Sequence, residues 1–426
     1  MTREAAVPSA PQRIAGLLPS WWFGACVLSL LIASDYRFRT RDVTMALSGR
    51  PDIAVVVEVG VYASVALVAC IAAALPGKPH VAPRLLYAMW AAAGTLAASA
   101  LYSPFGTFAV VRGAQLVVVV ALAHLAASRA TLPQFALLVR LFTVLVGVSV
   151  VVGLLFPIER AGAAGGRFSW LYVHPVVAGL YLALAILFLV GHLTDGTDRQ
   201  QGLSWPRPIQ WTLLIVCSGG LLATQTRGSI GAAVVGCLVL YWSRSTPSQR
   251  IDLLFGGAVA LALISLVGGD YILDFLQRGE SLERIATLNA RTDLWAQMLG
   301  IWAQRPLFGN GLGASRGLLL DETGLGGGHN VGVNLLVDAG AVGLVLWIVL
   351  FFALIRYLLL LRRIERTRVT ASTLLGAVVL LLVNGLTTEE LVVPATIGST
   401  WLFIIVAWTL VLARDAATDA VAAADP

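Results

Sequence analysis

The sequence predicts an all-α integral membrane protein: about twelve transmembrane helices and one large extracytoplasmic loop containing an amphipathic helix. Three observations predict it. Of 426 residues, 58% are hydrophobic and only 12% charged, against about 25% charged in soluble proteins. The mean hydropathy is +0.84. Apolar runs close to the roughly 20 residues that cross a bilayer recur along the chain. The net charge of +6 is almost wholly arginine, with Lys78 the single lysine. In a membrane chain such an excess reads as topology and lipid contact, not as a nucleic-acid surface. Cys26, Cys70, Cys217 and Cys237 all fall inside apolar runs, so neither a disulfide framework nor a zinc spacing is implied.

The spans are expected near 14–34, 53–75, 84–102, 106–127, 134–156, 175–193, 209–225, 229–243, 252–268, 331–355, 371–388 and 393–413. The first lacks a small-x-small cleavage site before its end and reads as a retained span. The chain therefore divides into a nine-span part (1–268), a large loop (269–330), three further spans (331–413) and an Ala- and Asp-rich tail (414–426) expected to be disordered. One alternating set of loops carries Lys78, Arg84, Arg129, Arg199, Arg207, Arg244, Arg250, the dense group Arg356, Arg362, Arg363, Arg366 and Arg368, and Arg414. The positive-inside rule puts this set, with both termini, in the cytoplasm. The loops about 35–52, 157–174, 224–228, 269–330 and 389–392 then face outward from the plasma membrane.

Within the large loop, Ile285, Leu288, Leu294, Trp295, Met298, Leu299 and Trp302 recur at helical spacing between Arg284 and Gln304. That helix is expected to lie on the membrane or roof the bundle, and Pro306 ends it. The loop closes on Gly326-Gly327-Gly328-His329-Asn330. Asn330 is the expected N-cap of the next span. His329 stands beside the positive end of that helix dipole, which disfavours imidazolium and leaves a ring able to accept a proton. The glycines permit close approach of a ligand to the backbone.

Outward-facing polar groups cluster. Arg160 and Arg167 precede the sixth span beside Tyr172 and His174, Arg227 caps the tight turn Thr224–Ser229, and Arg291 lies on the loop helix. A guanidinium is a permanently charged planar donor suited to phosphate, so this face suits a lipid diphosphate. Arg160 also reads as a headgroup anchor and Arg291 as a solvated charge, whereas the flexible setting of Arg167 favours function slightly and Arg227, a charge costly to bury between two spans, should have a partner. Glu58, Arg112, Arg140 and Asp338 fall inside spans, and Asp338 is expected to pair with an arginine from another span. No outward Asp-x-Asp, Walker loop, Gly-x-Ser-x-Gly or His-Glu-x-x-His occurs, so neither a metal nor a cofactor is indicated.

His329-Asn330 followed by Gly340-Ala341-Val342-Gly343, the run Arg291-Thr292-Asp293-Leu294-Trp295, the run Arg305-Pro306-Leu307-Phe308-Gly309-Asn310-Gly311-Leu312-Gly313 and the Thr226-Arg227-Gly228 turn together resemble the bacterial O-antigen ligase and polymerase superfamily. The resemblance is most specific over 284–352, moderate over 160–243 and topological elsewhere. It implies a metal-independent, inverting glycosyltransferase of twelve spans. The donor would be a glycan on undecaprenyl or a similar polyprenyl diphosphate, and the acceptor a glycan or glycolipid. His329 would be the general base, with Arg167, Arg227 and less directly Arg291 on the diphosphate, and Asn330, Arg160, Tyr172 and His174 in support. The competing class is a transporter or flippase of lipid-linked glycans, which would more often show repeated halves, interrupted spans and mid-membrane charges.

Overall fold

The computed structural model describes residues 19–36, 47–48, 52–74, 77–78, 81–158, 166–172, 174–194, 205–259, 291–320 and 326–424. The described chain is helical, its one β feature an isolated bridge between Tyr36 and Tyr172. In chain order the helices are α1 (Trp22–Asp35), α2 (Ile53–Ala73), α3 (Pro83–Ala98, extended by a 3-10 turn to Tyr102), α4 (Gly106–Arg129), α5 (Leu132–Leu155), α6 (Pro175–Leu193), α7 (Arg207–Ala223), α8 (Arg227–Arg244), α9 (Arg291–Gln304), α10 (Val331–Leu361), α11 (Glu365–Gly385) and α12 (Ile397–Ala424). A further helical stretch covers 247–259. Eight of the described helices are long and apolar enough to cross a membrane: α2 to α6 and α10 to α12. The expected spans on α1, α7, α8 and 252–268 are not among the eight. α1 has 14 residues and α7 17, both short for a full crossing, and residues 260–268 lie outside the described residues.

Local signals start the helices. Asp52 accepts the Val55 N–H at 2.9 Å. Gln134 Oε1 reaches back to the Thr131 N–H at 3.1 Å, closing a capping box. Proline stands in the first turn of α3, α5, α6 and α7, where its missing N–H costs nothing. α12 is apolar all round and occupies the centre: Leu402 to Ala407 are fully buried, with Trp401 beside them. α2, whose residues are mostly exposed, is peripheral. The tail expected to be disordered instead continues α12 as helix to Ala424, as the alanines at 416, 417, 420 and 422–424 favour.

The alternation of helices gives the bundle two ends of different chemistry. At one end arginines bind carbonyls at helix ends: Arg129 to Ala73, Arg414 to Ala127 and Ala130, and Arg244 to Gly191 near the C-terminus of α6 and to Val369 near the start of α11, all between 2.9 and 3.3 Å. The opposite end carries the C-termini of α1, α5, α7 and α11, the N-termini of α6, α8, α10 and α12, and α9, which packs on α10 through Leu294 and Met298. The amphipathic loop helix thus roofs the bundle. It is described from Arg291 onward, and 284–290 lie outside the described residues.

Two charges expected to need partners inside the bundle have each other. Arg112 of α4 meets Glu58 of α2 at 2.8 Å, and Gln115 joins both at 2.9 Å. Arg140 lies 6.0 Å from the Trp205 ring centroid. Asp338 departs from its expected arginine pairing. It accepts the backbone N–H groups of Gly313 and Ser315 at 3.1 and 2.7 Å, and so anchors the helical turn Ala314–Gly317 to α10.

α10 is broken at Gly340, whose φ of 68° and ψ of −168° are not helical. The loop after α9 fills the break. Pro306 and Leu307 carbonyls accept the N–H groups of Ala341 and Val342 at 2.8 and 3.1 Å, while Asn310 and Gly311 donate to Val337 and Asp338 carbonyls at 2.7 and 2.9 Å. Every peptide group freed by the break that these four bonds reach is satisfied by this chain's own backbone, as an apolar surrounding demands.

Candidate active site

The site is assembled from the connections at the α9 end. The stretch before α6 is tied to the α7–α8 turn: Phe168 N–H donates to Ala223 at 2.9 Å, Arg167 Nε donates to the Thr224 carbonyl at 2.8 Å and Nη2 to Thr226 Oγ1 at 3.3 Å. Thr226 Oγ1 also donates to the Pro175 carbonyl at 3.1 Å, which holds the α6 N-terminus against the turn. Arg227 opens α8 one residue later. Its neighbour Gly228 lies so close to Thr387 that a Cβ would collide with the Thr387 hydroxyl, and Ser229 meets Asn384 at 3.0 Å. The α11–α12 connection is therefore pressed onto the start of α8.

Two other predicted residues reach the same connection. Arg291 Nη1 donates to the Thr387 carbonyl at 3.1 Å, and Asn330 Nδ2 donates to the Leu386 carbonyl at 3.1 Å. Arg291 is thus not a solvated charge on the outer side of its helix: its guanidinium reaches the bundle. Asn330 caps α10 as its position suggests, Oδ1 accepting the Val333 N–H at 3.1 Å. His174 caps α6, Nδ1 accepting the Val176 N–H at 3.2 Å. That bond requires an unprotonated Nδ1.

His329 sits between these groups, part-exposed, with φ of 48°. Its pKa lies below the ordinary 6.5 chiefly through desolvation; the Glu389 carboxylate opposes this, and Arg291 and Arg316 add to it. Burial and the neighbouring cations thus act in the same direction as the helix dipole at the start of α10. His174 keeps an exposed edge, yet it stands among crowded loops. Desolvation there, with Arg167 and His329 nearby, pushes its pKa down to about 4. Both rings are therefore neutral at pH 7, and His174 senses His329.

Tyr172, expected in support of the site, is fully buried. Its hydroxyl meets that of Tyr36 at 2.9 Å, and Tyr36 meets Ser149 at 2.8 Å. It braces the loop from below and presents nothing to a ligand. Arg160 lies outside the described residues. The glycines before His329 approach protein groups, not an open face: Gly327 (φ 129°) abuts the Glu389 carboxylate, and Gly328 abuts Met298 and Asn334.

Sequence reasoning passed over Glu389, Arg316 and Asn334. Glu389 is buried and binds Arg316 at 2.8 Å and Asn334 Nδ2 at 2.8 Å. Asn334 falls four residues after Asn330, on the same helix face, which was the available signal. Glu389 carried only the signal of an acid in a short connection between two spans. Beneath this cluster a pocket is lined by Phe108, Arg112, Leu312, Arg316, Asn334 and Asp338 among others. Among the described residues no three His, Cys, Asp or Glu side chains converge as a metal set would.

Residues 212–348, from within α7 through the first half of α10 and past its break, match the family model described as O-antigen ligase. Over this segment the chain is similar to O-antigen ligases. The match contains the Arg227 turn, Arg291, His329 and both partners of the α10 break, and supports membership of the O-antigen ligase/polymerase superfamily. No curated protein matches the chain. The similarity to O-antigen ligases over this segment, with eight apolar helices of spanning length, supports a multi-pass membrane protein of transferase type. Arg167 and His174 lie outside the matched segment, and contacts at the α7–α8 turn join their stretch of chain to it.

Proposed function

We propose that this protein is a glycosyltransferase that ligates or polymerises polyprenyl-diphosphate-linked glycans at the outer face of the plasma membrane, for cell-surface polysaccharide. The observation that carries it is the convergence of one neutral histidine and three arginines on a single end of the bundle: Arg291 and the His329–Asn330 junction meet the α11–α12 connection, which also abuts Arg227's turn. The arginines bound to helix ends at the other end support a cytoplasmic assignment there. In this reading the chain crosses the membrane twelve times, the short helices α1, α7 and α8 and the 247–259 stretch included. The loop 269–330 faces outward.

His329 takes the proton of the acceptor hydroxyl, and positioned bases of this kind contribute about 10²–10⁴ in rate. The acceptor oxygen bonds to the anomeric carbon of the donor sugar from the face opposite the diphosphate, so configuration inverts. The carbon–oxygen bond to the diphosphate breaks, its electron pair leaves with the phosphate, and the guanidinium groups of Arg167, Arg227 and Arg291 meet that charge. Arg167 and Arg291 also hold backbone carbonyls, which fixes their direction at some expense of donor capacity. No cofactor enters this scheme.

The test is transfer in proteoliposomes with a polyprenyl-diphosphate oligosaccharide, comparing wild type, His329→Ala and a chelator. Transfer by wild type, none by His329→Ala and no effect of chelation are expected. Full activity of His329→Ala sinks the base assignment. Transport of the lipid-linked glycan is the second reading, favoured by the broken α10. Against it stands the filling of that break by the 306–311 backbone instead of a cavity.

A further inference from the structure

The backbone that carries His329 is held by one buried carboxylate. Glu389, 5% exposed, uses both oxygens: Oε1 faces Arg316 Nη2 at 2.8 Å and Oε2 accepts Asn334 Nδ2 at 2.8 Å. Asn334 in turn accepts the Gly328 N–H through Oδ1 at 3.0 Å. Arg316 Nε donates to the Gly326 carbonyl at 3.4 Å. Gly327 lies directly on the carboxylate, in a conformation and space open only to glycine. From the roof helix, Trp295 Nε1 donates to the Gly328 carbonyl at 2.7 Å. The residue that follows is His329, in the left-handed region. A non-glycine residue there is strained and persists only where its surroundings over-determine it.

We propose that Glu389 is the positioning residue for His329: clasped by Arg316 and Asn334, it fixes the Gly326–Gly328 backbone so that the imidazole points at its substrate from a strained rotation. The proposal rests on the reading of His329 as the base. Glu389 does not touch the reacting atoms. It acts through geometry and through its charge beside the ring. Four charged or titratable groups face His329: Glu389 from the α11–α12 connection, Arg316 from the turn after α9, Arg291 from α9 and His174 from α6. Glu389 is the one anion among them.

Glu389→Gln keeps the volume of the side chain but not its charge, and can serve Asn334 or Arg316 but not both. Two readouts are paired. In the proteoliposome assay kcat should fall about 10²-fold, the scale of a small misplacement of a reacting group, with the donor KM little changed. In detergent, the ring titration of His329, assigned by its absence from His329→Ala, should move to lower pH because the opposing anion is gone. Wild-type kcat for Glu389→Gln, with His329→Ala inactive, overturns the proposal. If His329→Ala itself remains active, the base reading has failed instead, and the titration decides alone: an unmoved midpoint overturns the clasp and a lowered one sustains it. Should Glu389→Gln fail to fold because Arg316 is left uncompensated, Glu389→Gln/Arg316→Gln removes both charges of the pair. The same two readouts then apply, with a smaller shift in the same direction.

Discussion

Gly309 and Gly340 meet backbone to backbone: a Cβ on either would stand 2.6 Å from the other's amide nitrogen. Both have positive φ, 70° and 68°. The contact is the hinge of the α10 break, where the 306–311 loop replaces the missing helical hydrogen bonds. Gly340→Ala and Gly309→Ala therefore carry a steric clash with backbone that cannot move aside, plus about 1–2 kcal/mol of left-handed strain. Each should lower the thermal midpoint in detergent by several degrees, whereas Gly231→Ala, inside α8 and meeting nothing within 4 Å, should leave it unchanged or raise it slightly. A Gly340→Ala protein as stable as wild type would show that α10 can run unbroken.

This pair marks where the sequence stopped being legible. The two glycine runs, 309–313 and 340–343, were both visible as a signature, but their meeting is a contact between segments some thirty residues apart that no periodicity encodes. Spans with regular hydropathy were legible because the bilayer fixes their length. The Asn330 cap was legible because capping is local. α7 and α8, short and interrupted by polar residues, are weaker cases for the same reason. Glu389 was invisible as a site residue: its partners Arg316 and Asn334 come from other segments, so an adjacent acidic pair was all the sequence displayed. Arg291 read as solvated because helix periodicity assigns a face but not what a neighbouring connection brings to it.

His329 and its φ of 48° separate function from stability. His329→Ala and His329→Gly both remove the imidazole and should both abolish transfer. Glycine adopts left-handed backbone without strain, whereas alanine keeps a cost of about 1–2 kcal/mol, partly offset by about 0.5–1 kcal/mol from glycine's greater unfolded freedom. Thermal melts should find His329→Gly at least as stable as His329→Ala. A clearly less stable glycine variant would contradict the left-handed backbone.

The Glu58–Arg112 pair tests whether α2 and α4 are joined by charge inside the membrane. Its side chains are only 14% and 16% exposed, and Gln115 satisfies both. Arg112→Met leaves a carboxylate without its cation and should destabilise by about 3–5 kcal/mol, while Glu58→Leu/Arg112→Met should recover most of that. A double-mutant cycle from detergent unfolding measures the coupling. Additive losses would mean the two charges act separately.

Protonation of the two site histidines should weaken the fold at acid pH, and the sign follows from their direction. Both pKa values are lowered in the folded chain, His174 to about 4 and His329 to below the ordinary 6.5. In the window between the folded and unfolded values the unfolded chain binds more protons, so stability rises with pH there. The contribution is fully present above pH 6.5 and is lost as pH falls toward 4. For His174 the loss has a visible cause: protonating Nδ1 breaks its cap on Val176 and places a cation at the N-terminus of α6. His174→Asn keeps a capping oxygen and removes the titration, so its thermal midpoint should fall less steeply over that window than wild type. Equal slopes would remove His174 from the account. For transfer, a depressed His329 stays neutral at pH 7, and the midpoint of the rate's acid decline should lie below that of an ordinary imidazole. A rate already falling above pH 7 would require a different base.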